Sequence, residues 1–259
     1  MNVVIIGDTP FLEEIAGLCV RAGHVVRALT VDTILGDWSD LEYATDLLNA
    51  DVVIEACHRS RRTRRQMVSF VETVYPPDTL LLVSALTAST TAIASSTSAP
   101  QRIVGYGLLP PLAETGMVEL AAGLNSGEDA LRQAAAFWRT VGYEAAVVAD
   151  GPGLVRGRLI ACIINEAAGA LQDRVASAAD IDTAMQLGTN YPHGPLAWAD
   201  HLGLDVVLAI MTGLYEEWGE DRYRPAPLLR RKVLAGQLGK KTHHGFFRWK
   251  EITEKGDSP

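Results

Sequence analysis

Asn2-Val3-Val4-Ile5-Ile6-Gly7-Asp8-Thr9-Pro10-Phe11-Leu12 opens the chain with an apolar run, a turn and the first residues of a helix. Four consecutive apolar residues, 3–6, read as a strand buried on both faces. Gly7 ends it, Thr9 stands where a hydroxyl caps a helix, and Pro10 suits a first helical position. A strand that passes through a tight turn into a helix is the opening unit of a parallel sheet covered by helices.

Working outward, the same grammar recurs. Residues 25–29, 52–54, 80–83, 103–107, 118–121 and 145–148 are short apolar runs that predict strands, and several are separated by stretches of helical periodicity. Glu128 and Asp129 after Ser126 predict a helix start, with the helix running to about Val141 before Gly142. Residues 41–49 predict one further helix, and 95–100, small and polar, a loop.

Past Asp150 the strands stop. Gly151, Pro152 and Gly153 punctuate the chain, and a long helical pattern follows. Leu154, Val155, Leu159, Ile163, Ala167, Leu171 and Val175 fall on one face, which predicts a broad buried stripe. Ser177 with Asp180 predicts a capped helix ending at Gly188; residues 196–214 predict another helical segment broken at Gly203; Pro227 predicts a last helix stopping near Gly236. We therefore expect an α/β Rossmann-like domain over residues 1–150 and an all-α domain over 151–259.

In such a fold the first turn often carries three glycines that let a dinucleotide pyrophosphate approach the backbone at a helix N-terminus. Here Gly7 holds the first position, Thr9 the second and Leu12 the third, with Asp8, Glu13 and Glu14 placing negative charge around them. The acid expected at the end of the second strand aligns with Thr30, and Asp32 follows two residues later. We expect a helix start in an inherited fold, with a degenerate cofactor site at Gly7, Thr9, Leu12, Thr30, Glu55 and Ala56.

The helical half carries a denser pattern. In order it reads Pro152-Gly153-Leu154-Val155, Asn165-Glu166-Ala167, Asp180-Ile181-Asp182, Ala184-Met185, Leu187-Gly188, Tyr191-Pro192 and Gly194-Pro195. Asp200, Gly203-Leu204-Asp205, Tyr223-Arg224-Pro225, Pro227-Leu228-Leu229, Ala235-Gly236, Leu238-Gly239, Lys241-Thr242 and Gly245-Phe246 continue it. Together with Gly7, Ala22-Gly23, residues 51–56, Ser84 and Val118-Glu119, this resembles the 3-hydroxyacyl-CoA dehydrogenase family, in particular its 3-hydroxybutyryl-CoA members.

The resemblance implies NAD as cofactor, oxidation of 3-hydroxyacyl-CoA to 3-oxoacyl-CoA in bacterial acyl-CoA (fatty acid) catabolism, and a homodimer built through the C-terminal domain. It also implies a His base oriented by a Glu, with Ser and Asn side chains polarising the substrate oxygen. The Glu aligns with Glu119, the His with Gly107, and the Asn-Pro that follows with Pro110-Pro111. The family's Ser-Asn-Thr-Ser aligns with Ser84-Ala85-Leu86-Thr87, leaving a hydroxyl at Thr87; a further Asn aligns with Gly157. The loop between 29 and 51 is shorter than the helical hairpin usual in the family. With the base and the Gly-rich loop replaced, we expect impaired catalysis. The alternative from another class is a non-catalytic dimeric binding or accessory protein keeping a phosphate-bearing ligand such as an acyl-CoA.

Arg59, Arg61, Arg62, Arg64 and Arg65 read first as a solvated helix face, and second as a site for a phosphate or an acidic partner. His58, beyond a strand end, reads as a solvated residue in preference to a relocated base; His193, His243 and His244 pair with no acid at a telling spacing. Of 259 residues 23 are Lys or Arg and 31 Asp or Glu, a net charge of −8 that disfavours nucleic acid and membrane surfaces as partners. Cys19, Cys57 and Cys162 have no metal spacing and read as thiols of a reducing compartment. No apolar run is long enough to span a bilayer and no signal peptide is read at Met1, so we expect a cytoplasmic protein.

Overall fold

A computed structural model describes residues 1–36 and 49–250. The predicted helix at 41–49 falls almost wholly outside the described residues. All seven predicted strands form: β1 (Asn2–Gly7), β2 (Val25–Thr30), β3 (Val52–Ala56), β4 (Leu80–Ser84), β5 (Ile103–Gly107), β6 (Gly116–Ala122) and β7 (Tyr143–Val147). They make one sheet in the order β2-β1-β3-β4-β5-β6-β7. Neighbours are parallel except β5 and β6, which run antiparallel. The mostly parallel sheet with flanking helices is the Rossmann-like architecture that the alternation of strand and helix predicts.

The helices are α1 (Phe11–Arg21), α2 (Val31–Leu35), α3 (Arg61–Val74), α4 (Thr90–Ala94), α5 (Glu128–Thr140), α6 (Arg156–Gln172), α7 (Ala178–Thr189), α8 (Pro195–Leu202), α9 (Leu204–Trp218) and α10 (Pro227–Leu234). Past residue 150, the described chain has helices and two isolated β-bridges. The chain packs as two compact units, Met1–Ala161 with Ala209–Arg224, and Cys162–Leu208 with Pro225 onward. The unit boundaries therefore fall inside α6 and α9.

In the sheet unit, Val4, Val53, Leu81 and Val83 pack against Met67 and Val71 of α3, one of the main apolar clusters. Strand order reverses at β1, which has β2 on one side and β3 on the other. In open α/β sheets the crevice beyond the carboxyl ends of the strands at such a point is where ligands bind. Gly7 ends β1 there, in register with Ala56. A Cβ at Gly7 would lie 2.8 Å from both the Cβ and the carbonyl oxygen of Ala56, so the strand pairing alone demands glycine.

Several local expectations are corrected. Thr9 is exposed and caps nothing; Pro10 is the N-cap of α1, with no side-chain hydrogen bond. Gly127, not Ser126, precedes α5, because the Ser126 hydroxyl donates to the Ile103 carbonyl instead. The Ser177 cap forms as predicted, but α7 runs one residue past Gly188 and stops at Asn190, whose left-handed backbone (φ 56°) ends the helix. The predicted stripe on α6 holds in part: Leu154 and Ala167 are buried and Ile163 and Leu171 half-buried, but Val155, Leu159 and Val175 are exposed, and Ala161, Ile164 and Ala168 join the buried face. Small residues on that face let the helix approach its neighbours closely, and a hydrophobicity count weighted to large side chains misses them.

In the helical unit the signature residues are structural. Asp182 accepts from the Leu196 and Ala197 N–H groups, both at 2.8 Å, and so caps α8 where Gly194 leaves no room for a side chain. Asp200, fully buried, accepts from the N–H groups of Phe246 (2.7 Å) and Phe247 (2.8 Å) and from the Trp249 indole (2.8 Å). Asn165 Oδ1 accepts from the Ala226 N–H at 2.7 Å. Among the described residues no single helix is long and apolar enough to cross a membrane.

Candidate functional site

The antiparallel pairing of β5 and β6 sets Gly107 directly opposite Glu119. Side chains of such pairs touch, so the register alone aims any side chain at position 107 toward the Glu119 carboxylate. A Cβ at Gly107 would lie 3.1 Å from Glu119 Oε2 and 3.0 Å from Leu154 Cδ1. Glu119 is buried and bonded to backbone: its carboxylate accepts from the Arg156 N–H at 3.0 Å and the Val155 N–H at 3.3 Å. It thus sits at the start of α6, where free N–H groups and the helix dipole favour a carboxylate. Burial nonetheless raises its pKa, and those N–H bonds only partly oppose the shift.

The neighbouring positions are apolar. A Cβ at Gly157 would lie 2.7 Å from Leu86 Cδ2, and both Leu86 and Leu154 are buried. Pro110-Pro111 follows β5, and Ala85 is buried beside Leu86. Thr87 keeps its hydroxyl, which accepts from Arg64 Nη1 at 3.0 Å.

Arg64 overturns the expectation of a solvated arginine face. It is buried, as is Glu55, and the two pair at 2.8 Å, with further guanidinium bonds to the other Glu55 oxygen and the Ser84 carbonyl. The signal was present in the sequence: Arg64, Met67, Val68 and Val71 share one helical face, and the last three are apolar. Arg61, Arg62 and Arg65 are exposed, and Arg61 pairs with Glu216 at 2.5 Å. His58 is also buried, contrary to expectation. Its Nε2 lies 2.9 Å from the Ser84 Oγ, and its ring packs 4.1 Å from the Phe11 ring.

At the crevice itself, Arg59 was missed as a connecting element. It donates from Nε and Nη2 to both Asp8 oxygens (2.9 and 2.6 Å), and from Nη1 and Nη2 to both Asp32 oxygens (2.6 and 2.9 Å). The Asp32 carboxyl is held below the usual range by these bonds with Arg59. Thr30 caps α2 by accepting from the Thr33 N–H at 3.1 Å, and Leu12 is buried under α1. Glu14 accepts from the Leu112 N–H at 2.5 Å. The sites named from sequence therefore separate into two groups. Gly7, Ala56, Asp8, Asp32 and Arg59 meet around the β1 and β3 ends, while Thr87, Glu119 and Gly107 lie at the ends of β4 to β6. Among the described residues no His, Cys, Asp and Glu cluster offers a metal site.

Comparison with known proteins accounts for both halves. Residues 20–151 match the family model of the 3-hydroxyacyl-CoA dehydrogenase NAD binding domain, and residues 153–249 that of its C-terminal domain. A probable 3-hydroxybutyryl-CoA dehydrogenase of Bacillus subtilis is 38% identical over 205 residues, spanning 79% of this chain and 71% of that protein. A 3-hydroxybutyryl-CoA dehydrogenase of Clostridioides difficile is 36% identical over 228 residues, spanning 88% and 81%. The crystal structure of (S)-3-hydroxybutyryl-CoA dehydrogenase from Ralstonia eutropha superposes with a TM-score of 0.76 at 28% identity, covering 96% of this chain and 99% of that one. On these matches, and on a fold that repeats the family's NAD-binding sheet and helical domain, the chain belongs to the NAD-dependent 3-hydroxyacyl-CoA dehydrogenase family.

Proposed function

We propose that this family member has lost the chemistry of hydride transfer, or retains it severely impaired, and acts as a dimeric binding or accessory protein for a phosphate-bearing ligand such as an acyl-CoA. The observation that carries this is the pair Gly107 and Glu119. The carboxylate that would orient a base survives, but position 107 opposite it carries no side chain, and a Cβ there would already lie 3.0 Å from a Leu154 methyl group. Leu86 fills the space over Gly157 in the same way. Dehydrogenation of a hydroxyl needs a base within hydrogen-bond reach, and removing one typically costs a hundred- to ten-thousand-fold in rate.

The crevice residues also fit a dinucleotide poorly. An acid that accepts ribose hydroxyls does so with oxygens not already committed to a cation, and Arg59 draws on both Asp32 oxygens. Asp8 adds a negative charge in the turn where a pyrophosphate would approach. NADH-dependent reduction of acetoacetyl-CoA tests the proposal: we expect turnover below about 0.1 per second, against the 1–1,000 per second of ordinary enzymes. Turnover above about one per second would overturn it.

A second reading has one observation in its favour. His58 is hydrogen-bonded to Ser84 beyond the ends of β3 and β4, so a relocated base would sit there. Turnover that His58→Ala abolishes in a folded protein would establish it.

Membership of the helical unit in the family's C-terminal domain supports a homodimer through that unit. Light scattering at micromolar concentration should return twice the chain mass, and a monomer mass would remove the claim. Burial pushes the Cys19 and Cys57 thiols up to about 12, leaving them inert, and these free thiols support a reducing, cytoplasmic setting.

A further inference from the structure

Arg59 lies beyond the end of β3, Asp8 in the turn after β1, and Asp32 in the first turn of α2 after β2. One guanidinium therefore ties together the three chain segments that border the crevice where the strand order reverses. We infer that Arg59 is the specificity-determining residue of this crevice, a built-in clamp that excludes dinucleotides by occupying the groups a pyrophosphate and a ribose would use. This rests on the proposed loss of NAD binding and names its cause.

The donor count supports the assignment. A guanidinium has five N–H donors in a rigid fork. Four of them are spent here, two on Asp8 and two on Asp32, at 2.6–2.9 Å. Bidentate pairs of this kind are shorter and stronger than neutral hydrogen bonds. A ligand phosphate approaching the turn after β1 therefore meets an arginine with one free donor and two carboxylates. To use Arg59, the ligand must break both bidentate pairs and leave Asp8 and Asp32 facing its own negative charge. Ribose hydroxyls would share both Asp32 oxygens with Arg59, which already draws on each of them.

The test is titration of NADH, followed by its fluorescence and by calorimetry, into the full chain and the double variant Arg59→Ala with Asp8→Asn. The double variant releases Asp32 and removes the like charge from the turn while leaving net charge on the chain unchanged. We expect at least a tenfold gain in NADH affinity over the unsubstituted protein. No gain in a folded variant, with weak binding in the parent, overturns the clamp while the proposed function stands. Low-micromolar binding by the unsubstituted protein overturns the clamp together with the loss of NAD binding it rests on, and leaves the proposed loss of hydride transfer to the turnover assay. If the double variant fails to fold, Arg59→Lys carries the same titration. Lysine keeps the charge but cannot form two bidentate pairs, so a several-fold gain supports the clamp and an unchanged affinity overturns it.

Discussion

The helical unit and the strand ends of the sheet unit descend from the same family pattern but use it differently. In the helical unit each signature acid examined in detail closes a structural bond: Asp182 caps α8, and Asp200 gathers the segment from Phe246 to Trp249. At the strand ends the positions that would carry chemistry hold Gly107, Gly157, Leu86 and Arg59, and the polar groups that remain bond to each other or to backbone. The difference teaches that different residues of one chain can carry the fold and the chemistry. Residues that satisfy buried backbone groups are costly to replace, because each orphaned donor carries a desolvation penalty. A base or a glycine that serves only a ligand can be replaced with no such penalty to folding, provided its volume is refilled.

The largest effect should come from breaking the buried polar network around Arg64. Arg64→Met leaves Glu55 buried without its partner, which we expect to destabilise the protein by about 3–5 kcal/mol. Replacing Glu55 by Met as well should recover most of that loss. Chemical denaturation of the two variants measures both, and a single variant as stable as the parent would show that Arg64 is not structural.

A smaller effect should appear with pH, and it probes the structural acids. Burial raises the pKa of Glu119, Asp182 and Asp200 above the ordinary carboxylate range. An acid whose folded pKa is raised contributes stability that is fully present below its unfolded pKa and is lost as pH rises through the folded one. Asp32 and Glu72 have the opposite sign. Arg59 holds the first down and Ser98 the second, so their stabilisation is lost only as pH falls through the depressed values. The unfolding temperature should therefore rise as pH falls through the raised values of Glu119, Asp182 and Asp200, and fall again as pH drops through the depressed values of Asp32 and Glu72. Asp200→Asn should flatten the first limb, and a midpoint that rises with pH throughout would reverse the assignment.

The smallest effect is expected at Thr9. It stands second in the turn that would receive a pyrophosphate, yet its exposed side chain caps nothing. Thr9→Ala should change stability by less than about 0.5 kcal/mol, as for ordinary surface substitutions. A loss above about 1 kcal/mol would mean that the hydroxyl holds the turn after all.

The strands were legible because burial on both faces forces continuous apolar runs such as Val3-Val4-Ile5-Ile6, which local sequence displays directly. The helix breaks at Gly203 and Asn190 and the Ser177 cap were legible, or nearly so, for the same reason: each is a local bond or a local backbone angle. The expectation that Gly107 stands at the family's base position came from alignment with the family pattern. What lies beside it was not legible, since Leu154 reaches it from a segment far away in the chain. The arginine run shows the limit most clearly. Sequence alone fixed five guanidinium groups within seven residues and the −8 charge of the chain. Only the tertiary structure decided that Arg64 is buried on Glu55, that Arg59 bridges Asp8 and Asp32, and that the rest face solvent. The charge of a side chain is a property of its residue, whereas its partners are set by which strand ends the sheet order brings together.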